Sequence, residues 1–385
     1  MKILFVLGRN VELSKAEIFS YFEKNQMNIK KFDLQRNALV IETDSKINFN
    51  KIIKELGGTT SVGEVYCSGG LEDVFEYVDK NEIYMESEPK FIYSILNFAG
   101  RSASEKLYSI IKNKFKRERL RGVFKRVRKT IEKQDKTFAI GSPTKISKMD
   151  KTYFIFKGKE YHFGIIKGVC DSKEIEMRDM EKPVRRAELA ISPRLSKILI
   201  NLSQVKRNGV LLDPFCGIGT ILQEALLQNI NVIGIDLDES AINGAKKNVF
   251  WLNKRYNIKS DYTISCGDSR KARLKIVDGV ATEPSLGVLL KRIPDYRKAN
   301  KMIYEFENLI VDVLNNIKKF IKKGGKISFT APTIKTQKKR ISCDIKKICK
   351  ATGLAVYSLK NINFPIKEYR EDHIVGREIF VLIDI

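Results

Sequence analysis

The stretch that decides the fold is residues 210–236, which read VLLDPFCGIGTILQEALLQNINVIGID. The apolar start, residues 210–212, predicts a buried strand that ends at Asp213. A turn with two glycines follows, residues 221–227 carry apolar side chains at helical spacing, and residues 231–235 predict a second strand that ends at Asp236. A strand, a glycine turn, a helix and a strand in this order predict an α/β sheet whose backbone passes close to a ligand at the turn.

The two acids at the strand ends indicate what kind of ligand this is. Asp236 follows Asp213 at close to the roughly 20 residues expected when a carboxylate binds ribose hydroxyls. A dinucleotide site has a third glycine after Gly217 and Gly219, and this sequence lacks it. Asp213 would repel a pyrophosphate but attract a cationic sulfonium. The segment therefore predicts an S-adenosylmethionine site, the alternative being an ordinary tight turn.

The run Asp-Pro-Phe-Cys-Gly-x-Gly-Thr at residues 213–220 closely resembles the motif of RNA and DNA amino-methyltransferases. A third predicted strand, residues 262–266, is followed by Asp268, which is placed to accept from the adenine amino group unless it only caps a helix. The expected cofactor-binding residues are Asp213, Pro214, Phe215, Cys216, Gly217, Gly219, Thr220, Asp236, Leu237, Asp268 and Ser269.

Composition limits the class of protein. The chain has 385 residues, enough for two or three domains, and a formal charge of +25. This charge favours a polyanionic partner, unless it is only a solvated surface. No run approaches the roughly 20 apolar residues of a membrane span, and the start does not read as a secretory signal, so we expect a cytoplasmic protein without membrane contact. The six cysteines and two histidines lack metal-site spacing, so we expect neither zinc nor disulfides.

The first half predicts two units of α+β type. Residues 1–70 follow the order strand-helix-strand-strand-helix-strand, which predicts an N-terminal ferredoxin-like domain, with Ser14 and Glu17 as the capping box of its first helix. Residues 71–175 form a second unit that contains the most cationic segment, 112–129. Its cations predict an RNA-binding surface, the alternative being that they only solubilise a core rich in aromatic residues. The RNA-binding candidates are Lys116, Arg117, Arg119, Arg121, Lys125, Arg126 and Arg128.

Residues 177–183, MRDMEKP, followed by PRLS at 193–196 and INL at 200–202, resemble a known domain junction. It is the junction between the THUMP domain and the methyltransferase domain of tRNA guanine-N2 methyltransferases acting near position 10. This resemblance implies a THUMP-like RNA-binding domain at 71–175, a linker and leading helix at 176–205, and a Rossmann-like S-adenosylmethionine methyltransferase domain of α/β class at 206–385. It implies tRNA as the partner, and the sequence is compatible with a monomer or with a small accessory protein.

The substrate side is expected at residues 282–287, after a predicted strand at 278–281. The resembled family has Asp or Asn, two prolines, an aromatic residue and often a glycine here. The acid and the first proline accept protons of the substrate amine while the aromatic ring stacks on the base. The match implies Glu283 and Pro284 as catalytic residues, and Thr282, Ser285, Leu286 and Gly287 as substrate-side residues. Leu286 replaces the aromatic residue, for which Tyr296 and Tyr304 are candidate substitutes.

The sequence therefore predicts an S-adenosylmethionine-dependent tRNA methyltransferase acting on the N2 amine of a guanosine. Ser285 and Leu286 favour one alternative, a tRNA-binding protein whose activity is weakened or lost. The other alternative is an amino-methyltransferase acting on another nucleic acid. His373 is expected in an exposed turn without a catalytic role.

Overall fold

The computed structural model describes residues 1–133, 136–186, 191–287 and 290–384, and within 128–141 it describes the backbone alone. The chain forms two compact units. The N-terminal unit comprises Met1–Val11 and Met27–Glu174, and the C-terminal unit comprises Glu12–Gln26 and Ile175–Ile385. In the described ranges, no helix has the length and apolar character needed to cross a membrane, and no cluster of histidine, cysteine or acidic side chains could hold a metal ion.

Among the described residues, the first half of the elements mixes ten strands with five helices. In chain order they are β1 (Lys2–Leu7), α1 (Val11–Lys24), β2 (Lys31–Gln35), β3 (Ala38–Glu42), α2 (Phe49–Glu55), β4 (Thr59–Gly69), α3 (Leu71–Lys80), β5 (Lys90–Phe98), α4 (Arg101–Arg117), β6 (Arg121–Phe124), β7 (Arg128–Lys133), β8 (Lys136–Gly141), α5 (Pro143–Ile146), β9 (Lys151–Lys157) and β10 (Tyr161–Val169).

One eight-stranded sheet runs through the N-terminal unit in the order β2-β3-β1-β4-β10-β9-β5-β6. Side chains alternate along β9, so that Tyr153 and Ile155 pack into one hydrophobic core and Phe154 and Phe156 into another. The domain boundary predicted at residue 70 falls between β4 and α3, yet β4 pairs with β10 across it. The two predicted domains of the first half therefore share a sheet.

Helix α1 packs with the C-terminal unit, which explains an incorrect prediction about its start. The helix begins at Val11, so Ser14 lies inside it, and the capping box predicted for Ser14 and Glu17 is wrong. Glu17 is instead buried, and its Oε1 accepts a hydrogen bond of 2.8 Å from Nδ2 of Asn201. The Nζ of Lys24 donates to Oδ1 of the same asparagine at 2.9 Å. The buried Glu17 is thus hydrogen-bonded to a residue 184 positions further along the chain.

The cationic segment covers the end of α4 and strand β6. Phe115 is buried in the core, and Phe124 packs against Tyr93, so the aromatic rings of the segment serve packing. Arg117 is hydrogen-bonded to Asp79 at 2.5 Å. The side chains at the surface are Lys116, Arg117, Arg119, Arg121, Lys125 and Arg126, whereas the side chain of Arg128 lies outside the described residues.

The C-terminal unit is a second α/β assembly. Its further elements are α6 (Ser172–Met180), α7 (Pro193–Leu202), β11 (Val210–Asp213), α8 (Thr220–Leu227), β12 (Asn231–Asp236), α9 (Glu239–Tyr256), β13 (Tyr262–Cys266), β14 (Gly279–Thr282), α10 (Tyr296–Ile317), β15 (Lys326–Lys335), β16 (Arg340–Ser342), α11 (Ile345–Thr352), β17 (Leu354–Val356), β18 (Ile366–Glu368) and β19 (Val375–Asp384).

The sheet of this unit has the order β13-β12-β11-β14-β15-β19-β17, with β16 and β18 attached at its side. Strands β11 to β15 pair in parallel, and β19 is antiparallel to both β15 and β17. The direction of the strand order reverses between β11 and β14. In open α/β sheets a ligand binds outside the carboxyl ends of the strands at such a reversal. The fold therefore places a site after Asp213.

Candidate active site

A cavity of about 600 Å³ lies at this end of the sheet. Nearly every predicted site residue of the C-terminal unit lines it. The lining includes Asp213, Pro214, Phe215, Cys216, Gly217, Thr220, Asp236, Leu237, Asp268, Ser269, Glu283, Pro284, Ser285, Leu286 and Gly287. Two predicted residues, Gly219 and Thr282, do not line it. A Cβ at Gly219 would lie 3.2 Å from the side chain of Ala245, so this glycine permits close packing behind the loop.

Asp213 ends β11 as a fully buried carboxylate. Its Oδ1 accepts a hydrogen bond of 2.6 Å from Oγ1 of Thr282 and one of 3.2 Å from the backbone N–H of Phe215. Thr282 therefore supports Asp213 from behind, and its predicted place on the substrate side is wrong. Burial raises the pKa of Asp213 to about 7, although both hydrogen bonds act to lower this pKa. The site thus contains an acid that a nearby positive charge would stabilise in its ionised form.

This raised pKa makes the stability of the ligand-free protein depend on pH. The folded chain holds the proton of Asp213 up to about pH 7, whereas the unfolded chain releases it near pH 4. Stability from this group is therefore complete below the unfolded pKa and falls as pH rises towards 7. We compare the free energy of unfolding of Asp213→Asn with that of the wild type. This difference should be about 2 to 4 kcal/mol more in favour of Asp213→Asn at pH 8 than at pH 4. Urea denaturation across this range measures the difference.

The control is Asp372→Asn, which alters an exposed acid in a turn and should leave the pH dependence of stability unchanged. A difference between Asp213→Asn and wild type that stays constant with pH would show that Asp213 titrates in its ordinary range.

Asp236 at the end of β12 holds the glycine turn. Its Oδ2 accepts a hydrogen bond of 2.8 Å from the N–H of Gly217, and its Oδ1 accepts one of 2.9 Å from the N–H of Asp238. Gly217 has φ +50 and Gly219 has φ +80, a left-handed conformation that glycine adopts without strain. Gly219 caps α8 without a side-chain acceptor, and Thr220 and Ile221 of the first turn line the cavity, where the start of a helix favours an anionic group.

The loop after β13 adds polar contacts to the site, and Leu237, directly after β12, adds an apolar one. Ser269 Oγ donates to the carbonyl of Pro214 at 2.7 Å, which ties the loop after β13 to the glycine turn. The side chain of Arg270 hydrogen-bonds both carboxylate oxygens of Asp268 and keeps the pKa of Asp268 below its usual value. Leu237 also lines the cavity and is 63% exposed, which offers an apolar surface to a planar ring.

The Glu283 carboxylate has partners that the sequence did not indicate. Arg377 on β19 binds it through two hydrogen bonds, from Nε to Oε2 at 2.8 Å and from Nη2 to Oε1 at 2.9 Å. Thr330 Oγ1 on β15 donates to Oε2 at 3.3 Å. Burial acts to lower the pKa of Arg377, but the hydrogen bond and charge of Glu283 outweigh it and raise this pKa. The Glu283 side chain is thus largely buried, and the ion pair with Arg377 holds this acceptor in one position.

Two other predictions concern the rings near the substrate. Tyr296 and Tyr304 are 51% and 56% exposed and are absent from the cavity lining, so neither replaces the missing aromatic residue at position 286. Of the described residues that line the cavity, Phe215 and His373 carry aromatic rings. His373 is exposed in a turn, as predicted, but it also lines the cavity.

Arg186 also lines the cavity, and its guanidinium forms an ion pair of 2.7 Å with Asp238.

Two family models match parts of this chain, and a solved structure resembles its fold. The family model described as a methyltransferase domain, RMKL-like, matches residues 183–347, and a DNA methylase model matches residues 63–247. The crystal structure of TrmN from Thermus thermophilus superimposes with a TM-score of 0.53 at 14% identity, covering 100% of both chains. The sheet order, the glycine turn and the acids at the strand ends define a Rossmann-like methyltransferase fold.

Two sequence relatives are more specific. The tRNA (guanine(10)-N2)-dimethyltransferase of Methanothermobacter thermautotrophicus is 33% identical over 144 residues, which are 37% of this chain and 39% of that protein. The probable tRNA (guanine(10)-N2)-dimethyltransferase of Methanothermococcus thermolithotrophicus is 32% identical over 142 residues, 36% of this chain and 79% of that protein. The chain belongs to the tRNA (guanine(10)-N2)-dimethyltransferase family, although the match spans less than half of the first relative.

Proposed function

We propose that this protein transfers methyl groups from S-adenosylmethionine to the N2 amine of guanosine 10 in tRNA. The observation that carries the proposal is the position of Glu283. Its carboxylate, paired with Arg377, and Pro284 line the same cavity as the glycine turn and Asp213, within a chain of this family. A proton acceptor for an amine and a site for a methyl donor thus share one enclosed space.

The residues present fit the cofactor. Asp213 is buried and its pKa is raised, so a ligand with a positive charge nearby would recover electrostatic energy there. Asp236 at the strand end suits ribose hydroxyls, the start of α8 suits a carboxylate, and Leu237 suits an adenine ring. When bound, S-adenosylmethionine supplies an electrophilic methyl group.

The chain itself orients the acceptor amine and removes its proton. The lone pair of a guanine N2 amine is delocalised into the ring, so the nitrogen is a poor nucleophile. Hydrogen bonds from its two protons to the Glu283 carboxylate and the Pro284 carbonyl would hold the amine and direct the lone pair at the methyl group. Because Arg377 holds the Glu283 carboxylate in one position, Glu283 can also accept the proton that the nitrogen sheds after transfer.

The N-terminal unit supplies binding to the polyanion. Six exposed cations lie between Lys116 and Arg126. Residues 1–70 and 71–175 serve as the ferredoxin-like and THUMP-like parts of a tRNA-binding unit in a cytoplasmic enzyme. The relatives' names make tRNA the expected polyanion.

The test is incubation of the purified chain with unmodified tRNA transcript and labelled S-adenosylmethionine, followed by nucleoside mass spectrometry. We expect N2-methylguanosine, N2,N2-dimethylguanosine or both, and none when guanosine 10 of the transcript is replaced by adenosine. Label in a duplex DNA of equal mass would point to a DNA methyltransferase. Binding of S-adenosylmethionine by calorimetry without any product would favour a tRNA-binding protein that has lost its activity.

A further inference from the structure

Arg377 has donors left over after it binds Glu283. A guanidinium carries five N–H groups in a rigid fork, and the ion pair uses one on Nε and one on Nη2. For the other three, no hydrogen bond is described within the described residues, although the charge of Glu368, opposite Arg377 in the β18–β19 ladder, also acts on this guanidinium. The side chain is 33% exposed and lines the cavity. Arg377 therefore presents unused donors to whatever enters the cavity.

Glu283 has one acceptor position left beside these donors. A carboxylate accepts about four hydrogen bonds. Oε2 is used by Nε of Arg377 and by Oγ1 of Thr330, whereas Oε1 is used by Nη2 of Arg377 alone. The free position of Oε1 adjoins Nη2, which still carries a free hydrogen. The ion pair thus offers an acceptor and a donor side by side at the cavity.

We propose that Arg377 binds the substrate base directly and reads the ring nitrogen next to the amine that Glu283 holds. This inference rests on the proposed function and adds a specificity-determining residue to it. In guanine, the N2 amine is a donor, and the adjacent N3 is an acceptor. A paired acceptor and donor on the protein match these two atoms in one plane, and recognition of a base edge by two adjacent hydrogen bonds is strongly selective. The pair also supplies contacts in a pocket where Leu286 stands at the position of the family's aromatic residue.

A contact with N3 can be tested by removing the atom. We would assemble tRNA by ligation with either guanosine or 3-deazaguanosine at the methylated position, the second base carrying a carbon in place of N3. For the wild type we expect kcat/KM to fall about 10- to 100-fold with 3-deazaguanosine, since the guanidinium then loses its acceptor in the closed cavity. For Arg377→Met we expect lower activity with both substrates and a ratio between them close to one.

The ratio of kcat/KM with guanosine to kcat/KM with 3-deazaguanosine distinguishes a contact between Arg377 and the base from a role of Arg377 in positioning Glu283. Disturbance of Glu283 in the variant slows both substrates equally, and any change that 3-deazaguanosine makes to the reactivity of the amine affects both enzymes equally. Arg370→Met, which changes an exposed arginine of the same tail, should keep the wild-type ratio. Should Arg377→Met fail to fold, as judged by its melting temperature, Arg377→Lys takes its place and is expected to show a ratio clearly below that of the wild type.

Two results would overturn the inference while leaving the proposed function intact. One is a wild type that methylates both substrates at equal rates, and the other is an Arg377 variant that retains the full wild-type ratio. A wild type that methylates no guanosine in any transcript would instead remove the proposed function, and the inference with it.

Discussion

Replacing Glu283 with glutamine is expected to lower kcat for methyl transfer to tRNA by about 10²- to 10⁴-fold, the range of a lost proton acceptor. Glutamine has nearly the same size, so the cavity keeps its shape, but a neutral amide cannot stabilise the proton that leaves the amine. Because Asp213 and Asp236 are unchanged, the affinity for S-adenosylmethionine should stay within about twofold of wild type. Single-turnover assays with labelled cofactor and calorimetry with the cofactor alone measure the two quantities.

The control for this prediction is Glu371→Gln, which alters an exposed acid near the end of the same chain. It should leave both the rate and the affinity unchanged. Turnover by Glu283→Gln at a wild-type rate would remove Glu283 from the mechanism. A loss of cofactor binding equal to the loss of rate would show that the substitution damages the cavity as a whole.

The cofactor side of the site could be predicted from sequence because its signals are local. Asp213, Gly217 and Asp236 lie within one strand-turn-helix-strand unit, and the backbone rules for such a unit fix their spacing and positions. The structure brings these residues to one cavity, as the sequence predicted. The parallel sheet follows from the same pattern, since a helix between two short apolar runs returns the chain to a parallel strand.

The partners of Glu283 could not be predicted in this way because they depend on distant pairing. Arg377 is 94 residues away along the chain, and it reaches Glu283 only because β19 inserts next to β15. The sequence around His373 predicts only an exposed turn, because nothing in it indicates which strands lie next to it in the sheet. The error at Ser14 has the same origin. Glu17 three residues on looked like half of a capping box, but its partner is Asn201 in another helix.

A second large effect is expected at the cationic surface of the N-terminal unit. Each phosphate contact contributes about 0.7 to 0.9 to the slope of log affinity against log salt. If the five cations without a described acidic partner all contact phosphate, changing them to glutamine should lower tRNA affinity at physiological salt by about 10²- to 10³-fold and reduce the slope by about 4. Filter binding at several salt concentrations measures both. The substitutions are Lys116→Gln, Arg119→Gln, Arg121→Gln, Lys125→Gln and Arg126→Gln.

A matched control distinguishes the loss of tRNA contacts at this surface from a general effect of lower net charge. The control variant removes the same number of charges from α9 and the residues that follow it, at Lys246, Lys247, Lys254, Arg255 and Lys259. Both variants have the same net charge, so an effect of overall charge alone predicts equal losses of affinity. The rings of the cationic segment are in the core, so binding there depends on phosphate contacts and should lack preference for base sequence. Equal salt slopes in the two variants would mean that tRNA contacts another part of the chain.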